Sequence, residues 1–134
     1  MSARIADYMA TELVSFDPAD DIVAAMRVLL ERHLSGAPVV DSRGRLVGIL
    51  SQKDCFEIVY RTAYHQDWSG QVQQYMSSDP ECLEADGSVV EAADRFLHSS
   101  FRRFPVLRDG ELVGLISRRD ILRALDELYL RAPG

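Results

Sequence analysis

Apolar residues recur at helical spacing along two stretches of the chain, and each stretch has a typical helix start. Acidic residues and a proline precede the first stretch, at Asp17, Pro18, Asp20 and Asp21. Free N–H groups at a helix start favour such residues. Ser88 and Glu91 open the second stretch with the spacing of a capping box. The two predicted amphipathic helices have stripes formed by Ile22, Met26, Leu29, Leu30 and Leu34, and by Val89, Ala92, Ala93, Phe96 and Leu97.

Two short apolar runs separated by a turn follow each of these helices. The first pair of runs encloses Asp41-Ser42-Arg43-Gly44, and the second encloses Arg108-Asp109-Gly110. Asp-Gly between two apolar runs is a strong signal for a β-hairpin, because both residues tolerate a positive φ. We therefore expect a strand–turn–strand unit after each helix.

Two more helices are predicted directly after the hairpins, from Gln52 to His65 and from Arg118 to Leu130. A short strand is predicted at Val14–Phe16, so that the order is strand, helix, strand, strand, helix. Trp68 lies in the polar connector between the two halves, where we expect it to cover the seam rather than to stack on a ligand. The apolar faces of the two helices are predicted to contain Phe56, Val59, Tyr60 and Ala63, and Ile121, Leu122, Leu125 and Leu128.

A constant offset between matching residues indicates two copies of one structural unit. Tyr8-Met9 returns as Tyr75-Met76 and Pro38 returns as Pro105, both 67 residues later. The second turn is one residue shorter, and beyond it the offset is 66. We place the repeats at residues 1–66 and 67–134. Each repeat is small for a hydrophobic core of its own, so we expect the two to pack together.

Composition indicates a globular protein without a large basic surface. The 134 residues are 47% hydrophobic and 27% charged, with a formal net charge of −6. This charge argues against a nucleic acid or an anionic membrane as partner. The apolar runs are too short to cross a bilayer, and the N-terminus does not resemble a signal peptide. We therefore expect a soluble, cytoplasmic protein.

Candidate residues for metal binding and catalysis are scattered. Cys55 and Cys82 lack metal-site spacing and are expected to be free thiols, while His33, His65 and His98 are isolated from one another. There is no nucleophile–base pair, phosphate-binding loop or dinucleotide glycine motif. We therefore expect neither a metal site nor an enzyme.

Two stretches resemble the signature of the CBS domain. The first comprises Pro38-Val39-Val40-Asp41, Gly44, Leu46 to Ser51 and Asp54. The second comprises Pro105-Val106, Gly110, Leu112 to Ser117 and Asp120. The resemblance extends from about Ile5 to Leu128, so the chain is similar to a tandem CBS pair, or Bateman module, in a stand-alone CBS protein.

The resemblance implies an α+β fold in which two β-α-β-β-α repeats pack sheet to sheet with pseudo-two-fold symmetry. It also implies that an adenosine nucleotide (AMP, ADP or ATP) binds in clefts between the repeats, with or without Mg²⁺, and that no cofactor is required. Homodimers are common in such modules. No effector domain is recognisable in the sequence, so the response is expected to pass to a separate effector protein or through self-association.

The candidate ligand residues occupy matching positions in the two repeats. Ser51 and Ser117 lie where a strand enters a helix, where a hydroxyl and free N–H groups can bind phosphate. The resemblance assigns the ribose diol to Asp54 and Asp120, because a carboxylate can accept hydrogen bonds from both hydroxyls. It assigns the adenine edge to the backbone near Ala37 and Pro38, and near Phe104 and Pro105.

Basic residues distinguish the repeats. Repeat 2 has Arg102-Arg103 and Arg118-Arg119, and the resemblance implies that Arg103 contacts phosphate; Arg119 is a second candidate. Repeat 1 has only Lys53 as an obvious cation at these positions. We therefore expect the repeat-2 site to bind nucleotide more readily. Exposed salt bridges are an equally simple explanation of the arginines.

A structural explanation is also available for the other motif residues. Ser-x-x-Asp at a helix start is itself a capping box, and the prolines could be strand-start residues in plain core strands. Gly48 and Gly114 interrupt bulky strands, which is expected where another backbone or a ligand approaches closely. The sequence thus leaves two functions open: a nucleotide sensor, and a structural or dimerisation module with degenerate sites.

Overall fold

A computed structural model describes residues 3–67 and 69–131. The prediction for Trp68 lies outside these residues. The chain forms two compact units, which we call the central unit (Val14–Pro80) and the split unit (Met1–Leu13 with Glu81–Gly134). The repeat boundaries taken from the sequence offset, 1–66 and 67–134, remain a prediction. In space, the N-terminal segment Met1–Leu13 belongs to the same compact unit as the second half of the chain, Glu81–Gly134.

The central unit is built on a three-stranded sheet with the order β1-β2-β3. Strands β1 (Gly36–Val40) and β2 (Leu46–Ser51) form the antiparallel hairpin, and β3 (Ser77–Ser78) pairs with β2. Its helices are α1 (Ile22–Glu31) and α2 (Phe56–His65). The strand predicted at Val14–Phe16 is wrong in extent, because only Phe16 forms a bridge, to Val39.

The split unit has a three-stranded sheet with the order β4-β5-β6, in which the additional strand lies beside the first strand of the hairpin instead of the second. Strand β4 (Leu83–Glu84) runs parallel to β5 (Arg103–Arg108), which forms the antiparallel hairpin with β6 (Glu111–Ser117). The helices are α3 (Val89–Leu97) and α4 (Arg118–Leu125), and a π-helical turn follows at Asp126–Leu130. With two three-stranded sheets and flanking helices, the α+β class is confirmed.

Helix starts and hairpin turns follow the sequence signals. Asp21 caps α1 by accepting a hydrogen bond from Ala24 N–H at 2.9 Å, and the Ser88 hydroxyl accepts one from Glu91 N–H at 3.0 Å. Asp109 and Gly110 have φ values of 52° and 82°, as the short second hairpin requires. Local hydrogen bonding and turn geometry therefore account for these elements.

Helix α2 begins later than predicted. Between Ser51 and Phe56 the chain forms tight turns, in which Cys55 N–H donates to the carbonyl of Gln52 at 3.1 Å and Phe56 N–H donates to that of Lys53 at 3.1 Å. These i to i+3 bonds delay the regular α-helical pattern. In the split unit α4 begins directly at Arg118, as predicted.

Several apolar residues assigned to the helix stripes are exposed. Leu30 in α1 is 57% exposed and Leu97 in α3 is 81% exposed, so both stripes are narrower than predicted. In α2 the buried residue is Ile58, and in α4 it is Ala124. The predicted apolar faces instead leave large side chains exposed, namely Phe56, Val59, Tyr60, Leu122, Leu125 and Leu128.

Gly48 and Gly114 provide the close backbone approach that the sequence indicates. A Cβ atom at Gly48 would lie 2.8 Å from the carbonyl oxygen of Ser77, and one at Gly114 would lie 2.9 Å from that of Ala10. The side chains of Met76 and Met9 also press on these glycines. The methionine of each recurring Tyr-Met pair therefore packs against the recurring glycine.

Pro38 and Pro105 are each the third residue of a strand, so the strand-start explanation is wrong. The carbonyl of Pro38 accepts a hydrogen bond from Phe16 N–H at 3.0 Å. The backbone polar groups of Pro38 thus point toward Phe16, which forms only a single bridge, and not toward β2, where a missing N–H would remove a hydrogen bond of the sheet.

Among the described residues, no helix combines the length and hydropathy that a membrane crossing needs.

Candidate ligand sites

Ser51 and Asp54 form a reciprocal capping box at the end of β2. Ser51 N–H donates to Asp54 Oδ2 at 2.8 Å, and Asp54 N–H donates to Ser51 Oγ at 3.1 Å. Both residues are partly buried. The box fixes the carboxylate rotamer while leaving part of its surface open to solvent.

Ser117 and Asp120 form the same box at the start of α4. Ser117 N–H donates to Asp120 Oδ2 at 2.9 Å, and Asp120 N–H donates to Ser117 Oγ at 3.2 Å. The capping explanation therefore applies to both motifs. Capping does not use all the hydrogen-bond acceptors of these motifs, because each carboxylate has a second oxygen and further lone pairs that could accept from a ligand.

The two second oxygens have different surroundings. Asp120 Oδ1 lies 3.4 Å from an Nη2 nitrogen of Arg123. Within residues 3–67 and 69–131, no hydrogen bond or ion pair engages Asp54 Oδ1. The residue that matches Arg123 in the central unit is Glu57, whose charge has the opposite sign.

Arg123 has further contacts in the split unit. Its guanidinium lies over the ring of Tyr8 at 5.0 Å and donates to the Tyr8 carbonyl at 3.1 Å. It also lies 3.8 Å from a Glu127 carboxylate oxygen. Burial of Tyr8, with the Glu127 carboxylate beside its hydroxyl, raises the pKa of the phenol. In the central unit Arg61, which matches Glu127, takes the corresponding place over Tyr75 at 5.1 Å.

The sequence prediction missed these arginine–tyrosine pairs. The recurring Tyr-Met pair was visible, but nothing in the local pattern connected Tyr8 with a residue 115 positions later. A charge reversal between the repeats could have indicated the pairs: Glu57 and Arg61 are replaced by Arg123 and Glu127.

Arg103 lies directly beside the Ser117 cap, because it is the cross-strand partner of Ser117 in the hairpin. Its counterpart in the central unit is Gly36, which is opposite Ser51. Arg103, Arg119 and Lys53 are all exposed. The structure thus brings Arg103 close to Ser117 and offers no comparable cation opposite Ser51.

Arg118 has a structural task. Its Nε donates to the carbonyl of Phe101 at 3.0 Å, and the matching Gln52 side chain donates to the carbonyl of Leu34 at 2.7 Å. Both bonds tie the residue after the cap to the segment before the hairpin. Arg118 is therefore less available to a ligand than Arg103 or Arg119.

Ala37, Pro38, Phe104 and Pro105 are buried in the hairpin strands. The ring of Phe104 belongs to the core of the split unit, with its centroid 4.8 Å from that of Phe96 and 5.5 Å from that of Phe101. A ligand could therefore use the backbone of these residues and not the Phe104 ring.

The cysteines remain free thiols among the described residues. Cys55 is buried next to Asp54, and burial together with the aspartate charge raises the pKa of its thiol. Burial likewise raises the pKa of Cys82. In the part of the chain that the structure describes, no three His, Cys, Asp or Glu side chains cluster in a way that could hold a metal ion.

Comparison with known sequences identifies the family. The CBS domain family matches residues 5–61 and 72–127. The chain belongs to the CBS domain family. An uncharacterised 17.7 kDa protein from Acidianus ambivalens is 29% identical over 130 residues, which cover 96% of this chain and 77% of that protein.

Solved structures of other CBS pairs share the fold. CBSX2, a CBS-pair protein from Arabidopsis thaliana, was crystallised in complex with AMP. Its AMP complex is 26% identical to this CBS pair with a TM-score of 0.81, over 94% of this chain and 98% of that one. The CBS pair of protein MJ0100, in complex with 5′-methylthioadenosine and S-adenosyl-L-methionine, has a TM-score of 0.76 at 20% identity, covering 95% of this chain and 98% of that one.

Proposed function

We propose that this CBS pair is a non-catalytic regulatory module that senses an adenosine nucleotide. The observation that carries the proposal is the duplicated Ser–Asp constellation, in which a cap holds a carboxylate and a serine hydroxyl at the end of a strand. The AMP complex of CBSX2, at 26% identity, supports an adenosine ligand for this fold. AMP, ADP and ATP are the proposed ligands, and a cytoplasmic location remains a prediction.

The side chains suit the parts of such a ligand. Asp54 and Asp120 can accept hydrogen bonds from the two ribose hydroxyls through their remaining lone pairs. Ser51 and Ser117 provide hydroxyls, and Arg103 and Arg119 provide exposed guanidinium groups for phosphate oxygens. Lys53 is the weaker phosphate candidate of the central unit. The backbone near Ala37, Pro38, Phe104 and Pro105 would meet the adenine edge.

A ligand screen by thermal unfolding tests the proposal. The protein is heated with AMP, ADP, ATP or S-adenosyl-L-methionine, each with and without Mg²⁺. A ligand at a hundredfold excess over its Kd should add about 2.7 kcal/mol to the free energy of unfolding. If none of these compounds raises the Tm, the sensor proposal fails.

Two aspartate variants test which constellation binds the nucleotide. We expect Asp120→Ala to weaken binding of ATP more than Asp54→Ala, because Arg103 and Arg119 accompany Asp120. Asp109→Asn is the matched control: it also removes one acidic charge from the split unit, and asparagine tolerates the positive φ of the turn. Equal losses for the two alanine variants would contradict the ranking.

We also propose that the exposed apolar side chains of α4 and the turn after it bind a second copy of this chain. Leu122, Leu128, Tyr129 and Leu130 are all at least 47% exposed, which is unusual for neighbouring large side chains on one short segment. A second copy is the favoured occupant because α2 of the same chain presents another exposed apolar set, so self-association would cover both. Such a contact offers one route to an effector protein.

Light scattering tests the dimer. Leu122→Glu should shift the mass to that of a monomer, because a carboxylate would be buried in the contact. Leu97→Glu, at another exposed leucine, should leave the dimer intact. A monomeric wild-type protein would refute this assignment.

The complete capping boxes favour a second candidate function, a structural module without a ligand. In that case the serines and aspartates serve stability alone. The dimer would then persist, and none of the nucleotides would change the Tm or the mass.

A further inference from the structure

The contact between Arg123 and Asp120 is the main chemical difference between the two capping boxes. The Arg123 side chain is 47% exposed, whereas that of Asp120 is 19% exposed. An ion pair that is partly shielded from solvent is screened less than one on the open surface. Both carboxylate oxygens of Asp120 thus have a partner within the protein: Oδ2 accepts from Ser117 N–H, and Oδ1 accepts from Arg123.

The capping box of the central unit lacks this competitor. Its Asp54 Oδ1 is not engaged by any side chain of the described ranges 3–67 and 69–131. Glu57 occupies the position that matches Arg123 and cannot donate to a carboxylate. The oxygen of Asp54 is thus ready to accept from a hydroxyl without loss of a protein contact.

A ribose diol that binds Asp120 must share or displace Arg123. Displacement leaves the Arg123 guanidinium beside the bound sugar, with only the Glu127 carboxylate, 3.8 Å away, to balance its charge. A phosphate on the ligand can compensate that charge, whereas an unphosphorylated nucleoside cannot. Arg103, opposite Ser117, adds to the same preference.

We infer that Arg123 is a specificity-determining residue, which makes the Ser117–Asp120 site select phosphorylated adenosine ligands. The Ser51–Asp54 site, with Glu57 in the matching place and Gly36 in place of Arg103, accepts uncharged adenosine ligands as well. This inference rests on the proposed nucleotide-sensing function. It gives the two sites of one chain different ligand classes.

Two single-site variants, each of which retains one of the two sites, allow the ligand preference of each site to be measured separately. Asp54→Asn leaves the Ser117–Asp120 site, and Asp120→Asn leaves the Ser51–Asp54 site. Calorimetric titration with adenosine and with AMP measures the ratio of the two Kd values, which isolates the effect of one phosphate. We expect a preference for AMP about tenfold greater in Asp54→Asn than in Asp120→Asn, which is the scale of one hydrogen bond to a charged group.

Reciprocal substitutions then test Arg123 itself. In the Asp54→Asn protein, Arg123→Gln should tighten adenosine binding by about two- to fivefold, the scale of a partly exposed ion pair, and weaken AMP binding. In the Asp120→Asn protein, Glu57→Arg should weaken adenosine binding and raise the preference for AMP. Arg108→Gln, at the far end of β5, is the control for loss of one positive charge.

The outcomes distinguish the inference from the proposed function. Equal preferences in the two single-site proteins, or no change of preference with either reciprocal substitution, would overturn the inference alone. Failure of every adenosine ligand to bind the wild-type protein would overturn the proposed function, and the inference with it. Because Arg123 also contacts Tyr8, each variant is first checked by circular dichroism; if Arg123→Gln unfolds, Glu57→Arg decides.

Discussion

The central and split units share one backbone plan but differ at three places around their capping boxes. Opposite the serine, Gly36 of the central unit is replaced by Arg103 of the split unit. Ala37 is replaced by Phe104 in the core. Three residues after the aspartate, Glu57 is replaced by Arg123.

This comparison shows that duplication preserved the scaffold and changed the chemistry around it. The caps are nearly superimposable in their hydrogen bonds, with N–H to Oδ2 distances of 2.8 and 2.9 Å. The surrounding charge is not preserved. A motif that looks duplicated in the sequence can therefore have different charges around it, and the following four predictions test how far the two units differ in stability.

The largest effect is expected from Phe104→Ala. The ring is 1% exposed and packs on Phe96 and Phe101, so its removal should cost about 3–5 kcal/mol of unfolding free energy. Urea denaturation measures the cost. Phe101→Ala, at a half-exposed ring, should cost clearly less; a small cost for Phe104→Ala would show that the ring is not part of the core.

Gly48→Ala and Gly114→Ala should each cost about 1–3 kcal/mol, because the new methyl group meets a backbone carbonyl in both units. The same denaturation experiment compares them. Similar losses are expected from the matching geometry. If either variant were as stable as the wild type, the Tyr-Met segment that lies over that glycine would have to move away easily.

Loss of the serine caps should distinguish the units. Ser51→Ala and Ser117→Ala should each cost about 0.5–2 kcal/mol. Ser117→Ala should cost more, because α4 begins directly after the cap whereas turns separate Ser51 from α2. A larger loss for Ser51→Ala would contradict this order. Ser100→Ala, at an exposed serine outside the caps, provides the baseline.

The smallest effect concerns the hairpin turn of the central unit. N–H groups of Arg45 and Arg43 donate to the Asp41 carboxylate and lower its pKa. A folded-state pKa below the unfolded one stabilises the protein above the unfolded value, and this stabilisation is lost as the pH falls through the folded value.

Asp41→Ala should therefore lower the Tm at pH 7, and the difference from the wild type should shrink in acid. Thermal unfolding between pH 7 and pH 3 measures this trend. Ser42→Ala, at an exposed and uncharged residue of the same turn, should show no such convergence. If the difference in Tm between Asp41→Ala and the wild type stayed constant with pH, the charge of the Asp41 carboxylate would not contribute to stability.

The sequence signals predicted the hairpins, the helix starts and the two capping boxes, because each depends on residues a few positions apart. They failed where packing selects among apolar residues. In α2 the pattern favoured Phe56, Val59 and Tyr60, yet the fold buries Ile58. Periodicity identifies an apolar face but does not identify the partner that covers it.

For the candidate sites, the sequence indicated the serines, the aspartates and the unequal distribution of arginines. It could not indicate that Arg123 engages Asp120. The two residues are one helical turn apart, so a contact was sterically available, but the rotamer of Arg123 is held by Tyr8 from the other end of the chain. Sequence neighbours alone do not contain that constraint.

By itself the sequence determined that the chain is a duplicated unit with a capping box after each hairpin, because repeats, turns and caps are local patterns. Only the tertiary structure decided which unit each Tyr-Met segment joins. Ala10 exchanges two backbone hydrogen bonds with Leu115, at 2.8 and 3.0 Å, and so places Met9 against Gly114 of the split unit. The reason is physical: a contact between residues so far apart depends on how the whole chain closes, and no local pattern contains that information.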